Sequence, residues 1–212
     1  MRTDDLIRTI AADNASRSTS IERWLSLVIL PGIIVSAILF ALMLGPRSDI
    51  ARVSGEFPFL FKFVFTLTLA ITATWLACRL ARPGVDTKLA AFALLAAPVI
   101  LGLAVLAEIT AVEPAMRATK LVGTTWQSCV TFIPILSAPI LAAALIGLRH
   151  GAPTRPALTG AVAGLIAGGF GATIYAAYCI EDSPFFLATW YTLAIVGVAV
   201  VGGLIGARVL RW

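Results

Sequence analysis

Residues 24–44 read WLSLVILPGIIVSAILFALML, an uncharged run stopped by Gly45-Pro46. A membrane-crossing helix takes about 20 apolar residues, whereas the apolar core of a cleavable signal takes only about 7–15. The run therefore reads as a first transmembrane helix. The 23 residues ahead of it are polar and hold no such apolar core, so no cleaved leader is expected. Five further stretches repeat the pattern, at about 59–77, 89–107, 129–148, 157–178 and 185–207. Pro98, Pro134 and Pro139 fall inside these spans, where neighbouring helices or water satisfy the carbonyls that a proline frees. The expected fold is an all-α integral membrane protein. A tail (residues 1–23) carries a short amphipathic helix, and a six-helix transmembrane domain (24–212) follows it.

Composition agrees. The 212 residues are 59% hydrophobic and only 13% charged, against about 25% charged in average soluble domains, and mean hydropathy is +0.96. So few charges cannot clothe a water-soluble surface, which excludes a soluble enzyme, a secreted disulfide scaffold and a disordered chain. No stretch between spans is long enough to fold as a catalytic domain. There is no P-loop, H-E-x-x-H, G-x-S-x-G or nucleotide fingerprint. The sequence does not read as an enzyme.

Orientation follows from Lys and Arg placement. The N-terminus, the second-to-third and fourth-to-fifth loops and the C-terminus hold eleven: Arg2, Arg8, Arg17, Arg23, Arg79, Arg82, Lys88, Arg149, Arg155, Arg208 and Arg211. The opposite set holds five: Arg47, Arg52, Lys62, Arg117 and Lys120. Both termini are thus expected in the cytoplasm, with the chain in a bacterial inner membrane. The net charge of +5 reads as topogenic, since these residues are scattered over span ends and form no nucleic-acid surface. Lys62, one turn into the second span, is expected to snorkel outward. Trp126, Trp190 and Tyr191 are expected in the interfacial aromatic belt.

Cysteine placement is the most informative chemical feature. Cys129 begins the fourth span and Cys179 ends the fifth, so both thiols are expected at the same depth on the outer side. Three readings compete: a static disulfide, a redox- or metal-responsive pair, and two unlinked thiols; the responsive pair is favoured. Soft thiophilic metals suit two thiolates, with Glu181, Asp182 or Glu113 as oxygen partners. No resident cofactor is expected, and no C-x-x-C suggests a thiol oxidoreductase. Cys78, at the cytoplasmic end of the second span, reads as a small buried hydrophobe. The only histidine, His150, lies on the cytoplasmic side.

Two further patterns concern packing and partners. Gly160, Gly164 and Gly168 form a small-residue stripe on the fifth span, suited to close helix approach within the bundle or, alternatively, to a homodimer. In the tail, Thr3 suits an N-cap and Asp4 and Asp5 the first helical turn. Leu6, Ile7 and Ile10 then share one face, and residues 14–20 read as a tether. A tethered amphipathic helix suits insertion into a partner's groove; the alternative is a helix lying on lipid. A small multi-pass transporter of metal or organic solute is the other class compatible with six spans. It lacks support at mid-bilayer, where only Ser and Thr are polar.

The segments MRTDDLI (1–7), WQSC (126–129), GAPTRPAL (151–158) and YCIEDSP (178–184), followed by Trp190-Tyr191, resemble the NrsF family, negative regulators of sigma F. The resemblance runs over essentially the whole chain. It implies a six-helix inner-membrane anti-sigma factor whose cytoplasmic N-terminal segment holds an extracytoplasmic-function sigma factor away from RNA polymerase. It further implies that the cysteines matching Cys129 and Cys179 take part in sensing metal or oxidative stress. Cys78 matches no family cysteine. The tail is short for sequestering a two-domain sigma factor, which leaves a part for the loops around 79–88 and 149–155.

Overall fold

A computed structural model describes Asp5 and residues 21–211. Six helices in it are long and apolar enough to cross a membrane: α1 (Ile21–Met43), α2 (Phe57–Leu80), α3 (Lys88–Ala111), α4 (Trp126–Leu148), α5 (Pro156–Ala176) and α6 (Pro184–Val209). A helix of sufficient length and apolarity lies at each of the six expected spans. Their ends follow local chemistry: α1 stops at Gly45 (φ +71), whose N–H returns to the Phe40 carbonyl at 3.0 Å. Pro58, Pro156 and Pro184 stand in the first turns of α2, α5 and α6, where a missing N–H costs nothing. α3 breaks at Leu95, because Pro98 cannot donate to the Leu94 carbonyl and crowds it.

The arrangement of the bundle is decided by α5, its most buried helix. Glycines on separate faces of α5 admit three neighbours. A Cβ at Gly164 would fall 2.5 Å from the Ala199 Cα of α6, one at Gly169 would fall 2.9 Å from the Ala70 Cβ of α2, and Gly171 abuts Ser137 of α4. α6, α4 and α2 accordingly surround α5, and α1 packs on α4. The Gly160–Gly164 stripe meets Gly202 and Gly206 of α6 in the same chain, a close backbone approach within the bundle. Hydroxyls tie the interior further: Ser36 of α1 lies 2.7 Å from the Leu136 carbonyl of α4, and Thr173 of α5 donates to Thr66 of α2 at 2.9 Å. α3 is peripheral, against α2 and the start of α6. It bounds a lateral apolar cavity of about 530 Å³ lined by residues such as Phe65, Leu101, Leu165 and Ile195.

Antiparallel succession gives the bundle two ends. The proximal end carries the start of α1 and the end of α6, with Trp24 and His150 rings 4.8 Å apart and the Ala152 N–H donating to the Ala81 carbonyl. The distal end gathers the segments 44–56, 112–125 and 177–183. Of the proposed tail contacts, Asp4, Leu6, Ile7 and Ile10 lie outside the described residues; Asp5 is helical and exposed.

Candidate functional site

At the distal end the two expected cysteines come together. Cys129 sits in the first turn of α4 and Cys179 three residues beyond the end of α5; both are 0% exposed, both are free thiols, and both belong to one buried cluster. Thr125, one turn before Cys129, brings its hydroxyl to 3.9 Å from the Cys179 sulfur, and that sulfur lies 3.8 Å from the Glu181 carbonyl.

Two tyrosines complete the cluster, and sequence reasoning missed both. Tyr175 precedes Cys179 by four residues, which places it on the same helix face one turn back; that spacing was the available signal. Tyr191 reads from sequence as a belt residue, but it is fully buried and its ring lies 5.9 Å from that of Tyr175. It stands at the end of a π-helical turn of α6 over Leu187–Tyr191, next to Trp190, which is half-buried and stacked on Trp126 at 4.9 Å. Such π-turns recur at functional sites.

Over the thiols lies a polar cap centred on the segment 179–183. Lys62 does not snorkel outward. It is 0% exposed, pairs with Asp182 at 2.6 Å and donates to the Cys179 carbonyl at 2.8 Å. Arg47 reaches Asp182 at 3.2 Å and Asp49 at 2.6 Å, and its guanidinium also contacts the Cys179 carbonyl. The Asp49 hydrogen bond raises the Arg47 pKa, and reciprocally the Arg47 hydrogen bond lowers that of Asp49. The pair therefore stays ionised at neutral pH and is lost only as pH falls through the lowered Asp49 value. Glu181 accepts from the N–H and hydroxyl of Thr124, both at 2.8 Å. Glu108, near the end of α3, accepts from Ser183 and from the Phe185 N–H and pairs with Lys120. Arg47, Lys62 and Glu108 thus hold the cysteine turn in place from three neighbouring segments through charged side chains, and Thr124 from a fourth through its N–H and hydroxyl.

Of the oxygen partners considered from sequence, Glu181 and Asp182 are therefore engaged in the cap, and Glu113 is exposed at the start of the short helix Pro114–Val122. Among the described residues no three His, Cys, Asp or Glu side chains are grouped to hold a metal ion. Chemically, the site offers two shielded sulfurs, two phenols and a lid closed by ion pairs.

Six helices long and apolar enough to cross a membrane, with a capped thiol pair at one end, define a helical bundle suited to a bilayer. Residues 10–212 match the family model described as NrsF, negative regulator of sigma F. The chain belongs to this family, whose role is regulatory and not enzymatic. It is similar, at 36% identity over the full length of both chains, to a protein of Azospira oryzae named probable anti-sigma-F factor NrsF. A protein of Caulobacter vibrioides named anti-sigma-F factor NrsF is 35% identical, again over both full lengths. No solved structure matches the chain.

Proposed function

We propose that this protein is an inner-membrane anti-sigma factor with both termini in the cytoplasm, and that it releases its partner when Cys129 and Cys179 meet a thiophilic metal or an oxidant. The partner is a sigma factor of the extracytoplasmic-function class, bound through Asp4, Asp5, Leu6, Ile7 and Ile10 with help from the proximal loops. Full-length similarity to anti-sigma-F factors supports the output. The observation that carries the input is the convergence of two thiols fifty residues apart into one buried cluster, directly beneath a turn fastened by Lys62, Arg47 and Glu108.

The burial has a mechanistic consequence. A cation or oxidant reaches two 0%-exposed sulfurs only if the cap moves, so reaction and cap rearrangement are one event. The cap joins α5 and α6, which run to the proximal end of the bundle, and a two-state element linking the two ends is what coupling requires. Moving a 1:99 balance to 99:1 takes about 5.5 kcal/mol of differential binding, which two metal–thiolate bonds or one disulfide can supply. Deprotonated thiols bind soft cations, and no resident metal is invoked.

A sigma-dependent reporter tests both halves. Under cadmium stress, Cys129→Ser and Cys179→Ser are each expected to hold the reporter at its uninduced level; normal induction in both sinks the sensor role. Deleting residues 2–12 is expected to give full expression without any stress. Continued repression moves the binding surface to the loops at 79–88 and 149–155.

A further inference from the structure

α3 is the least buried of the six spans, and its inward face does not close on the bundle. The space left against α2, α5 and α6 is the apolar cavity of about 530 Å³. Leu95, where α3 breaks, and Pro98 stand in its wall, and a Cβ on Gly102 would meet nothing within 4 Å. Among the lining residues Thr192 has the one polar side chain, and its hydroxyl already donates to the Leu187 carbonyl at 3.2 Å. The cavity continues toward the distal end. Val105 of α3 and Ala188 of α6 line it, while Ala104 and Pro184, beside them on the same helices, line a second hollow of about 620 Å³. That hollow has a polar rim in Lys120 and Glu181, beside Glu108 and Asp182. Asp182 is matched by Lys62 and Arg47. Glu181 receives the N–H and hydroxyl of Thr124 but pairs with no cation among the described residues. Lys120 pairs with Glu108 at 3.3 Å and still keeps 42% of its side-chain surface. Next to it, the Leu121 carbonyl accepts from the Trp190 indole at 3.0 Å, and interfacial tryptophans sit at the depth of lipid headgroups.

We propose that this continuous slot holds one phosphatidylethanolamine molecule of the distal leaflet, with an acyl chain in the apolar cavity, its phosphate at Lys120 and its ammonium at Glu181. Three observations select that occupant. Left empty, the wall would lose the dispersion contacts that a packed interior makes, and a wall this apolar gives water too few partners to fill it. A helix of a second copy is too large: over the length Leu94–Val105 a helix of about 10 Å diameter takes about 1,300 Å³, more than twice the cavity's volume. The rim decides the headgroup. One ammonium and one carboxylate without a cation match a zwitterion, whereas a headgroup with net negative charge would face Glu108, Glu181 and Asp182 together. The lipid would brace α3, whose Glu108 holds Ser183 and the Phe185 N–H beside the cysteine turn. None of this depends on whether the thiols bind metal.

The test uses the full chain, stripped of lipid in detergent micelles and given equal amounts of palmitoyl-oleoyl phosphatidylethanolamine and phosphatidylglycerol. Native mass spectrometry then counts what each chain retains. The unsubstituted chain is expected to keep one phosphatidylethanolamine and to gain thermal stability from it. Gly102→Leu puts a side chain into the open cavity and is expected to abolish both retention and the gain. Its lipid-free midpoint should be unchanged or higher, since leucine favours helix over glycine. Gly197→Leu, the same change at an open glycine outside the lining, should retain the lipid. Glu181→Gln keeps an acceptor for Thr124 and is expected to weaken retention about tenfold, the worth of one charged hydrogen bond. Undiminished retention by Gly102→Leu overturns the proposal, as does an equal loss in Gly197→Leu, which would mean unspecific boundary lipid. Equal retention of the two lipids by the unsubstituted chain, or paired chains without lipid, overturns it as well. If Gly102→Leu proves less stable without lipid, Val196→Phe fills the cavity from the α6 wall and is judged by the same outcomes.

Discussion

Asp182→Ala is expected to destabilise the protein by about 3 kcal/mol, far more than removing the lysine it faces. Lys62 is 0% exposed and its charge is matched by Asp182 at 2.6 Å. Removing one member of a buried pair costs about 3–5 kcal/mol, because the other charge is left buried without compensation. The lower figure applies here for two reasons: Asp182 retains 23% of its side-chain surface, and Lys62 keeps the Cys179 carbonyl as an acceptor. Lys62→Met is expected to cost only about 1 kcal/mol, since Asp182 still has Arg47 at 3.2 Å and the unbranched apolar side chain fills most of the lysine's space. The double variant should then be more stable than Asp182→Ala alone, a coupling that a double-mutant cycle reads directly. Denaturant titration of the four proteins in mixed micelles measures it. Equal losses for the two single variants would sink the account of the cap as a buried charge pair.

The asymmetry bears on function as well as stability. The cap is the barrier between the thiols and whatever reaches them. A weakened cap lowers that barrier, so Asp182→Ala should also raise basal reporter expression wherever enough protein folds. This ties the charge pair to the switch through a single turn, residues 179–183, whose backbone and side chains receive Lys62, Arg47, Thr124 and Glu108 contacts.

How much of this was legible in the sequence depended on the kind of signal. The six spans were, because each is a continuous apolar run and lipid admits little else. The meeting of Cys129 with Cys179 was legible too, since consecutive antiparallel helices return to the same depth. Lys62 was misread for a physical reason: snorkelling is the cheap solution for an isolated lysine, and Asp182, 120 residues away in sequence, supplies another. Tyr191 was misread because an aromatic near a span end reads as a belt residue, whereas in the fold it is fully buried at the end of a π-turn. The central place of α5 was half visible. One glycine stripe stands out at four-residue spacing, but Gly169 and Gly171 break that spacing and acquire meaning only once α2 and α4 stand beside them.

That central helix supports the second large prediction. Gly164→Ala is expected to cost about 3 kcal/mol, while the same change at Gly197 is expected to be neutral or to stabilise by up to about 1 kcal/mol. A Cβ at Gly164 would lie 2.5 Å from both the Ala199 Cα and the Val198 carbonyl of α6, and 2.9 Å from the Ala199 nitrogen. All three are backbone atoms, so no rotamer change relieves the clash and the helices must separate. Overpacking of this kind costs about 1–3 kcal/mol or more, and an unyielding backbone places it at the upper end. Separation would also weaken the carbon–carbon packing that stands in for the hydrophobic effect between helices in lipid. Gly197 lies on the same α6 with nothing within 4 Å of its would-be Cβ. There alanine meets open space and gains helix propensity worth up to about 1 kcal/mol. The pair separates close approach from propensity within one helix contact, with identical chemistry at each site. Unfolding of both variants in mixed micelles gives the answer, and similar midpoints for the two would mean that α5 and α6 do not touch backbone to backbone. Because α5 runs from the cysteine turn to the proximal loop 149–155, loss of that contact should also uncouple cadmium exposure from the reporter even in protein that remains folded.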